Sequence, residues 1–434
     1  MRVFMLGWEF PPFVSGGLGT ACYGLTKGLD RRGIEVIFVL PRMVESAYTT
    51  HVKLLTPTSR IPAGKGGYRE FKNVAFRTVN SPLQPYTEPE SYQLQMEEAL
   101  RQKVGGGKAS SASQLVGNMD YSGDMYSEVH RYAAVAVDLA RGEQFDVVHA
   151  HDWMTYPAGI AVSAMSGKPL IVHVHSTEFD RSGEHVNQVI YDIERMGMHS
   201  AHKVVAVSYY TRSIIIGRYG VAGEKVEVVH NGVERNGNGA WALTETGIKK
   251  DEKIVLFLGR ITMQKGPEYF LGAAKKVLEV MENVKFVMAG SGDMMHRAVE
   301  LAAELGIGHK VLFTGFLRGD DVQKIYRMAD LFVMPSVSEP FGIVPLEALE
   351  HDVPVIISKQ SGVSEVLRHA LKVDFWDVNE IANKIVAVLK YPPLGMTLRD
   401  YGNFEVRKLS WSDSAAKCAM IYEEAVAGAC VKTF

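Results

Sequence analysis

The sequence predicts an α/β protein built from two doubly wound parallel sheets in tandem, and three observations carry that prediction. Short β-rich apolar runs alternate with longer helical patterns, the signature of parallel strands joined by crossover helices. The alternation restarts in the second half, after the turn-rich run Asn231-Gly232-Val233-Glu234-Arg235-Asn236-Gly237-Asn238-Gly239. Glycine-bearing loops follow several of the strand runs, where open α/β sheets bind ligands. At 434 residues, 47% of them hydrophobic and 22% charged, the chain can bury two large cores.

Taken in order, Val3–Leu6 reads as a strand, because Glu9 and Pro11-Pro12 cut the apolar run too short for a secretory signal. Thr20–Arg32 reads as a helix ended by Gly33, and Glu35–Leu40, Val147–Ala150, Leu170–Val174 and Val204–Val207 read as strands. The second half continues with strand Ile254–Leu258, helix Pro267–Met281, strand Lys285–Ala289 and helix Met294–Leu305. Strand Val311–Thr314, helix Asp320–Met328 and strand Leu331–Met334 follow, and Ser412–Gly428 is a last helix after Trp411. The expected domains are residues 1–230 and 231–410, with a tail at 411–434 able to pack back on the first domain. The stretch 84–124, containing Gly105-Gly106-Gly107, is too long for an ordinary connection and reads either as a lid or as a merely mobile segment.

Charge and composition narrow the function classes. Lys+Arg 47 against Asp+Glu 49 gives a net charge of −2, so there is no bulk basic field for nucleic acid. No apolar run reaches the ~18 residues of a spanning helix, so stable membrane insertion is not expected. Cys22, Cys418 and Cys430 are odd in number and scattered, which fits a reducing compartment and a cytoplasmic protein.

The strongest chemical pattern is Ser338-Glu339-Pro340-Phe341-Gly342-Ile343-Val344-Pro345-Leu346-Glu347-Ala348, which follows the strand ending Val333-Met334-Pro335. Gly342 permits close backbone approach, Pro345 suits a first helical turn, and a helix opening there presents free N–H groups to a phosphate. Glu347 then falls in the first turn, either gripping ribose hydroxyls or merely capping the helix. A second pattern, Gly259-Arg260-Ile261-Thr262-Met263-Gln264-Lys265-Gly266, puts two cations on a strand-to-helix loop. Arg260 as a fork and Lys265 as a point charge can reach one diphosphate from two sides, or can be solvated surface cations. Gly290-Ser291-Gly292 is a weaker sign of the same kind.

In the first half, Val14-Ser15-Gly16-Gly17-Leu18-Gly19 resembles a phosphate loop without the Walker lysine, or is a tight turn. A dinucleotide fingerprint would need a third glycine where Cys22 stands, which disfavours hydride transfer. His149 and His151 share one strand face, and His173 and His175 end the next strand. Four such rings could cluster on a metal. No surrounding carboxylate spacing supports that, so a histidine-rimmed polar sugar site is preferred and no metal is expected.

Together, Glu339-x7-Glu347 with Phe341-Gly342-Ile343-Val344 between, Gly259-Arg260…Lys265-Gly266, His149-Ala150-His151-Asp152-Trp153 and Gly16-Gly17 resemble the retaining nucleotide-sugar glycosyltransferases. The likeness is to the family-4 enzymes of the GT-B fold and the related glycogen and starch synthases, and it covers nearly the whole chain. It implies two Rossmann-like domains facing a central cleft. It also implies a donor held by Arg260 and Lys265 on the phosphates, Glu347 on the ribose and Glu339 on the sugar hydroxyls. Phe341, Gly342, Ile343 and Val344 complete the donor set, through backbone N–H groups at the last three. Gly16 and Gly17 would close over the donor and His151 would contact its hexose, orienting and stabilising charge. The acceptor would lie near Glu9, Asp152 and Trp153.

The same resemblance implies transfer of glucose from ADP-glucose or UDP-glucose to an α-1,4-glucan, with retained configuration and no metal or other cofactor. No Asp-x-Asp motif is evident, and the two cations can stabilise the leaving group electrostatically. Front-face attack is favoured over a covalent intermediate on Glu339. One departure is Val14, where bacterial glycogen synthases carry Lys two residues before the paired glycines. That keeps open a family-4 hexosyltransferase acting on a small sugar, a lipid-linked sugar or an exopolysaccharide.

Overall fold

Strand β1 (Arg2–Leu6) is apolar at every position from Val3 onward and is buried throughout that run, as a central parallel strand with helices on both faces must be. It pairs in parallel with β2 (Glu35–Arg42) on one side and β4 (Val147–His151) on the other. The full sheet runs β3 (Val74–Asn80), β2, β1, β4, β5 (Leu170–Val174), β6 (Lys203–Ala206), β7 (Val226–Val228). The order reverses direction between β1 and β4, which makes their carboxyl ends a topological switch point. The structure, a computed structural model, describes residues 1–10, 16–42, 72–80, 125–233 and 252–431.

Helix α1 spans Gly17–Arg31, three residues earlier than the sequence pattern suggests, because Gly17-Leu18-Gly19 is its first turn and not a loop before it. Helices α2 (Met125–Arg141) and α3 (Tyr156–Ser166) flank the sheet; Tyr132 on α2 donates its hydroxyl to the carbonyls of Gly7 and Val39, tying down the exits of β1 and β2. Further on come α4 (Glu178–Ser182), α5 (Gln188–Ser200) and α6 (Tyr209–Tyr219).

The second sheet runs β10 (Val311–Gly315), β9 (Val284–Ala289), β8 (Lys253–Leu258), β11 (Leu331–Met334), β12 (Val355–Ser358), β13 (Leu371–Val373), with parallel pairing at each step. Its switch point lies between β8 and β11. Helices α7 (Pro267–Leu278), α8 (Met295–Glu304), α9 (Asp320–Met328), α10 (Ile343–Glu350), α11 (Val363–Val366), α12 (Val378–Lys390) and α13 (Pro392–Val406) complete it. Val255, Phe257, Phe270, Phe286, Val333 and Ile381 are among the buried side chains that join sheet and helices into one core. The ends of β8 and β9 touch through backbone: Gly290 has φ +145°, and a Cβ there would fall on the Gly259 carbonyl. Gly290 and Gly292 therefore serve strand-end packing, which accounts for that glycine pair without a phosphate.

Two α/β sheets with interleaved helices are thus present, as expected. The sheets change over between Val228 and Lys253. By packing, the chain forms two units, Met1–His173 with Ile193–Val204 and Cys418–Phe434, and Val174–Asp192 with Val205–Lys417. The last helix, α14, spans Trp411–Val431, starting on the tryptophan itself. Residues 84–124, as well as Val14, lie outside the described residues. No described helix is long and apolar enough to cross a membrane.

Candidate active site

In the second unit, the loops leaving β8 and β11 carry the charged residues. Arg260 follows β8, and its guanidinium donates to the side-chain oxygen of buried Gln264 at 3.1 Å. The Gln264 carbonyl accepts the Val337 N–H at 2.9 Å, so the two loops are bonded to each other at the switch point. Lys265 Nζ lies 2.5 Å from Glu339 Oε2, an oxygen that also accepts from Ser336 Oγ at 3.2 Å. The pair is largely buried, with side chains 21% and 10% exposed. Lys265, Ser336, Glu339 and Val344 line a cavity of about 30 Å³, room for about one water.

Glu339 is fixed from its backbone as well: its N–H donates to Gln360 O and its carbonyl accepts from Gly362 N, both at 2.9 Å. Gly342 has φ +103°, and a Cβ there would press on Val363 at 3.1 Å and on Glu339 itself at 3.3 Å. Only glycine lets the chain turn there without moving Glu339. Helix α10 then opens at Ile343 and Val344, whose N–H groups belong to the unsatisfied first turn. Phe341 is buried beside the His230 ring, 5.8 Å between centroids, so its side chain packs inside.

The structure corrects the placement of Glu347. Because α10 begins at Ile343, there is no acidic residue in its first turn. Glu347 sits one turn further on and does not cap the helix. Its Oε2 instead accepts the Tyr326 hydroxyl of α9 at 2.9 Å, and the same hydroxyl lies 3.3 Å from Val344 O. Burial raises the Glu347 carboxyl above its ordinary value, and the Tyr326 bond works against that rise. Burial and the neighbouring Glu347 charge push the Tyr326 phenol well up, so it stays a donor.

A further network was not foreseen. Ser338, next to Glu339, donates to Asp180 Oδ1 at 2.5 Å and meets Tyr210 Oη at 3.0 Å. Asp180 is buried, and its other oxygen takes both the N–H and the hydroxyl of Thr177 at 2.7 Å in a capping box. Burial raises the Asp180 carboxyl while the Ser338 and Thr177 bonds pull it down. Asp180 is 158 residues from Ser338, so no local pattern signals the pair.

In the first unit, the candidates gather at the carboxyl ends of β1 and β4. Glu9 is fully buried, and its carboxylate accepts the Gly16 N–H at the start of α1. Gly17 is exposed, with open space where a Cβ would go. His149, His151 and His173 are buried, and His151 and His173 are partners in the β4–β5 register. One ring nitrogen from each lies within 4.8 Å of the others, so this trio could hold a metal ion. His149 Nδ1 also meets Tyr422 Oη at 2.7 Å. Asp152 has φ +58° and ψ 169°, a region nearly confined to glycine. Its carbonyl is held by the N–H and hydroxyl of Thr155, both at 3.0 Å. Trp153 is buried in the turn that follows, edge-on to Trp8 at 6.4 Å. Burial drives His175 down to about 3, keeping that imidazole neutral.

Comparison with known proteins agrees on one kind of enzyme. Residues 243–403 match the family "Glycosyl transferases group 1", and residues 120–236 match "Glycosyltransferase Family 4". An uncharacterized glycosyltransferase of Methanocaldococcus jannaschii is 32% identical over 382 residues, covering 85% of this chain and 83% of that protein. The glycogen synthase of Mycobacterium tuberculosis is 23% identical over 380 residues, covering 85% and 80%. Among solved structures, Anabaena HepE in complex with UDP and glucose superposes with a TM-score of 0.69 at 18% identity, covering 98% of this chain and 100% of that one.

Proposed function

We propose a donor, an acceptor and a mechanism from one premise: the chain belongs to the family-4 glycosyltransferases of the GT-B fold and is related to the glycogen synthases. It moves glucose from ADP-glucose or UDP-glucose to the end of an α-1,4-glucan, with retention. The supporting observation is the meeting of Arg260, Lys265 and Glu339 with the opening of α10 at the β8–β11 switch point.

Lys265 and Glu339 form an ion pair with each other. A nucleoside diphosphate offers Lys265 a more highly charged partner, and the sugar offers Glu339 hydroxyl donors in exchange. Arg260, Lys265 and the N–H groups of Gly342, Ile343 and Val344 then stabilise charge growing on the departing phosphate, so no metal is needed. Glu347, held by Tyr326, takes the ribose hydroxyls. The bond from the sugar carbon to phosphate oxygen breaks and the bond to the acceptor oxygen forms on the same face. The acceptor proton passes to the departing phosphate. With its carboxylate taken up by the sugar hydroxyls and, at Oε2, by Ser336 Oγ, Glu339 is a poor nucleophile, which favours front-face attack over a covalent intermediate.

Family likeness assigns Gly16, Gly17 and His151 to the donor hexose and Glu9, Asp152 and Trp153 to the acceptor. The strained backbone of Asp152 supports a functional role for its turn. Val14, in place of a donor-binding Lys, supports the second reading, a hexosyltransferase for a small sugar, a lipid-linked sugar or an exopolysaccharide.

Nucleotide release by the purified protein separates these readings. ADP-glucose, UDP-glucose and GDP-mannose are each supplied with and without glycogen or maltooligosaccharides. Release from a glucose donor that rises sharply with glucan is the expected result. Slow hydrolysis that no glucan accelerates rejects the glucan acceptor and leaves the second reading.

A further inference from the structure

The second unit carries an open groove of about 840 Å³ between α11, the loop 367–370 and α13, within the size range of ligand pockets, about 300–1,000 Å³. Its floor is aromatic. Tyr401 and Phe404 stand one turn apart on α13, 55% and 56% exposed, and Val366 and Leu409 extend the apolar lining. Rings this open inside a concavity leave apolar area in water that a ligand would cover.

The floor is also held in place. Glu405 Oε2 accepts the N–H groups of Arg368 and His369 at 2.8 and 3.0 Å, and its other oxygen lies 2.9 Å from His369 Nδ1. The His369 ring lies nearly parallel to Tyr401, 4.9 Å between centroids and 22° between planes, and Lys408 Nζ sits 4.6 Å from the Phe404 centroid. Little reorganisation is left to oppose binding.

The rim sets Arg368 and Lys408 against Glu365, Asp400 and Glu405, with Glu365 engaged by the N–H groups of Tyr209 and Tyr210 and Glu405 by the loop. It therefore offers no net positive field to a nucleotide or a phospholipid. A flat apolar floor beside the side chains of Arg368, Lys408 and Asp400, on a rim with no net positive charge, selects a neutral ligand with flat faces and many hydroxyls. We infer that this groove is a saccharide-binding site distinct from the Lys265–Glu339 cluster and that it holds a glucan chain. The choice of glucan rests on the function proposed above; the choice of saccharide rests on the groove.

The test is native electrophoresis of the full chain in gels containing glycogen, dextran or mannan, with maltoheptaose as soluble competitor. Glycogen is expected to retard the wild type, and Tyr401→Ala with Phe404→Ala to weaken the apparent affinity about tenfold or more. Arg368→Ala, which spares both rings, is expected to weaken it in the same direction. Lys265→Ala should be retarded like the wild type, because the donor site plays no part. Unchanged migration of the wild type in all three gels, or equal retardation of the double variant, overturns the site. Retardation by mannan alone keeps the site and rejects the glucan reading. Transfer to maltoheptaose by a chain that no gel retards does the reverse.

Discussion

Replacing Tyr326 with Phe isolates a single hydroxyl. The ring is fully buried and stacked on His351, 5.0 Å between centroids and 20° between planes, so Phe keeps the packing. What is lost is the 2.9 Å bond to Glu347 Oε2 and the longer contact with Val344 O. A hydrogen bond to a charged group contributes about 1.5–3 kcal/mol, which at about 1.4 kcal/mol per tenfold is roughly 10- to 150-fold. The loss should appear mainly as a raised KM for the donor, since Glu347 is assigned to the ribose and not to the reacting carbon. Its sign with pH is also fixed. Burial raises the Glu347 carboxyl and Tyr326 opposes that, so removing Tyr326 lets it climb further. The acid limb of donor kcat/KM should move to higher pH. The group facing the carboxyl that bears on this limb is Tyr326 on α9; His351 Nδ1 meets only the Glu347 main-chain carbonyl, at 2.8 Å. Initial rates of nucleotide release across about pH 5 to 9 read both effects. An unchanged KM with an unchanged acid limb refutes the positioning role.

Three further outcomes follow from the geometry. Lys265→Ala should cut turnover by ~100-fold or more, about 3 kcal/mol of leaving-group stabilisation, and should also lower the melting temperature by leaving Glu339 unpaired. Adding Glu339→Gln should restore the melting temperature without restoring the rate; recovery of both would reduce Lys265 to a structural partner. Glu347 has a raised folded pKa, so its contribution to stability is full below the unfolded value and is lost as pH rises through the folded one. Glu347→Gln should therefore melt at or above the wild type near about pH 7, the difference vanishing near about pH 4, while donor affinity falls. A lower melting point at neutral pH would revive a capping role. Gly290→Ala should cost at least ~2 kcal/mol in denaturant unfolding, because φ is +145° and the new Cβ meets the Gly259 carbonyl. A wild-type midpoint would contradict the packing of the β8 and β9 ends.

The alternation of strands and helices was legible because buried parallel strands are continuous apolar runs and their crossover helices keep a 3.6-residue period. The placement of Arg260 and Lys265 on one strand-to-helix loop was legible, because both lie close in sequence to the apolar run of β8. Contacts between distant elements were not. Tyr326 lies on a helix 21 residues before Glu347, and nothing in either local pattern couples them. Glu347 was misplaced by one turn because α10 starts at Ile343, directly after the left-handed Gly342. The Gly17–Gly19 run looked like a loop because glycine is a poor helix former; as a helix start, the missing Cβ of Gly19 leaves room for the Glu9 carboxylate, which a Cβ would meet at 2.9 Å.

Most directly at stake is whether the loops after β8 and β11 hold a nucleoside diphosphate. Calorimetric titration of UDP and of ADP into the wild type and into an Arg260→Ala, Glu347→Ala variant, both in excess EDTA, answers it. Saturable binding of one nucleotide to the wild type, weakened by about a hundredfold or more in a variant that melts as a folded protein, is the expected result. Equal binding by the two proteins, or wild-type binding that appears only when a divalent ion replaces EDTA, contradicts a metal-free donor site at this switch point.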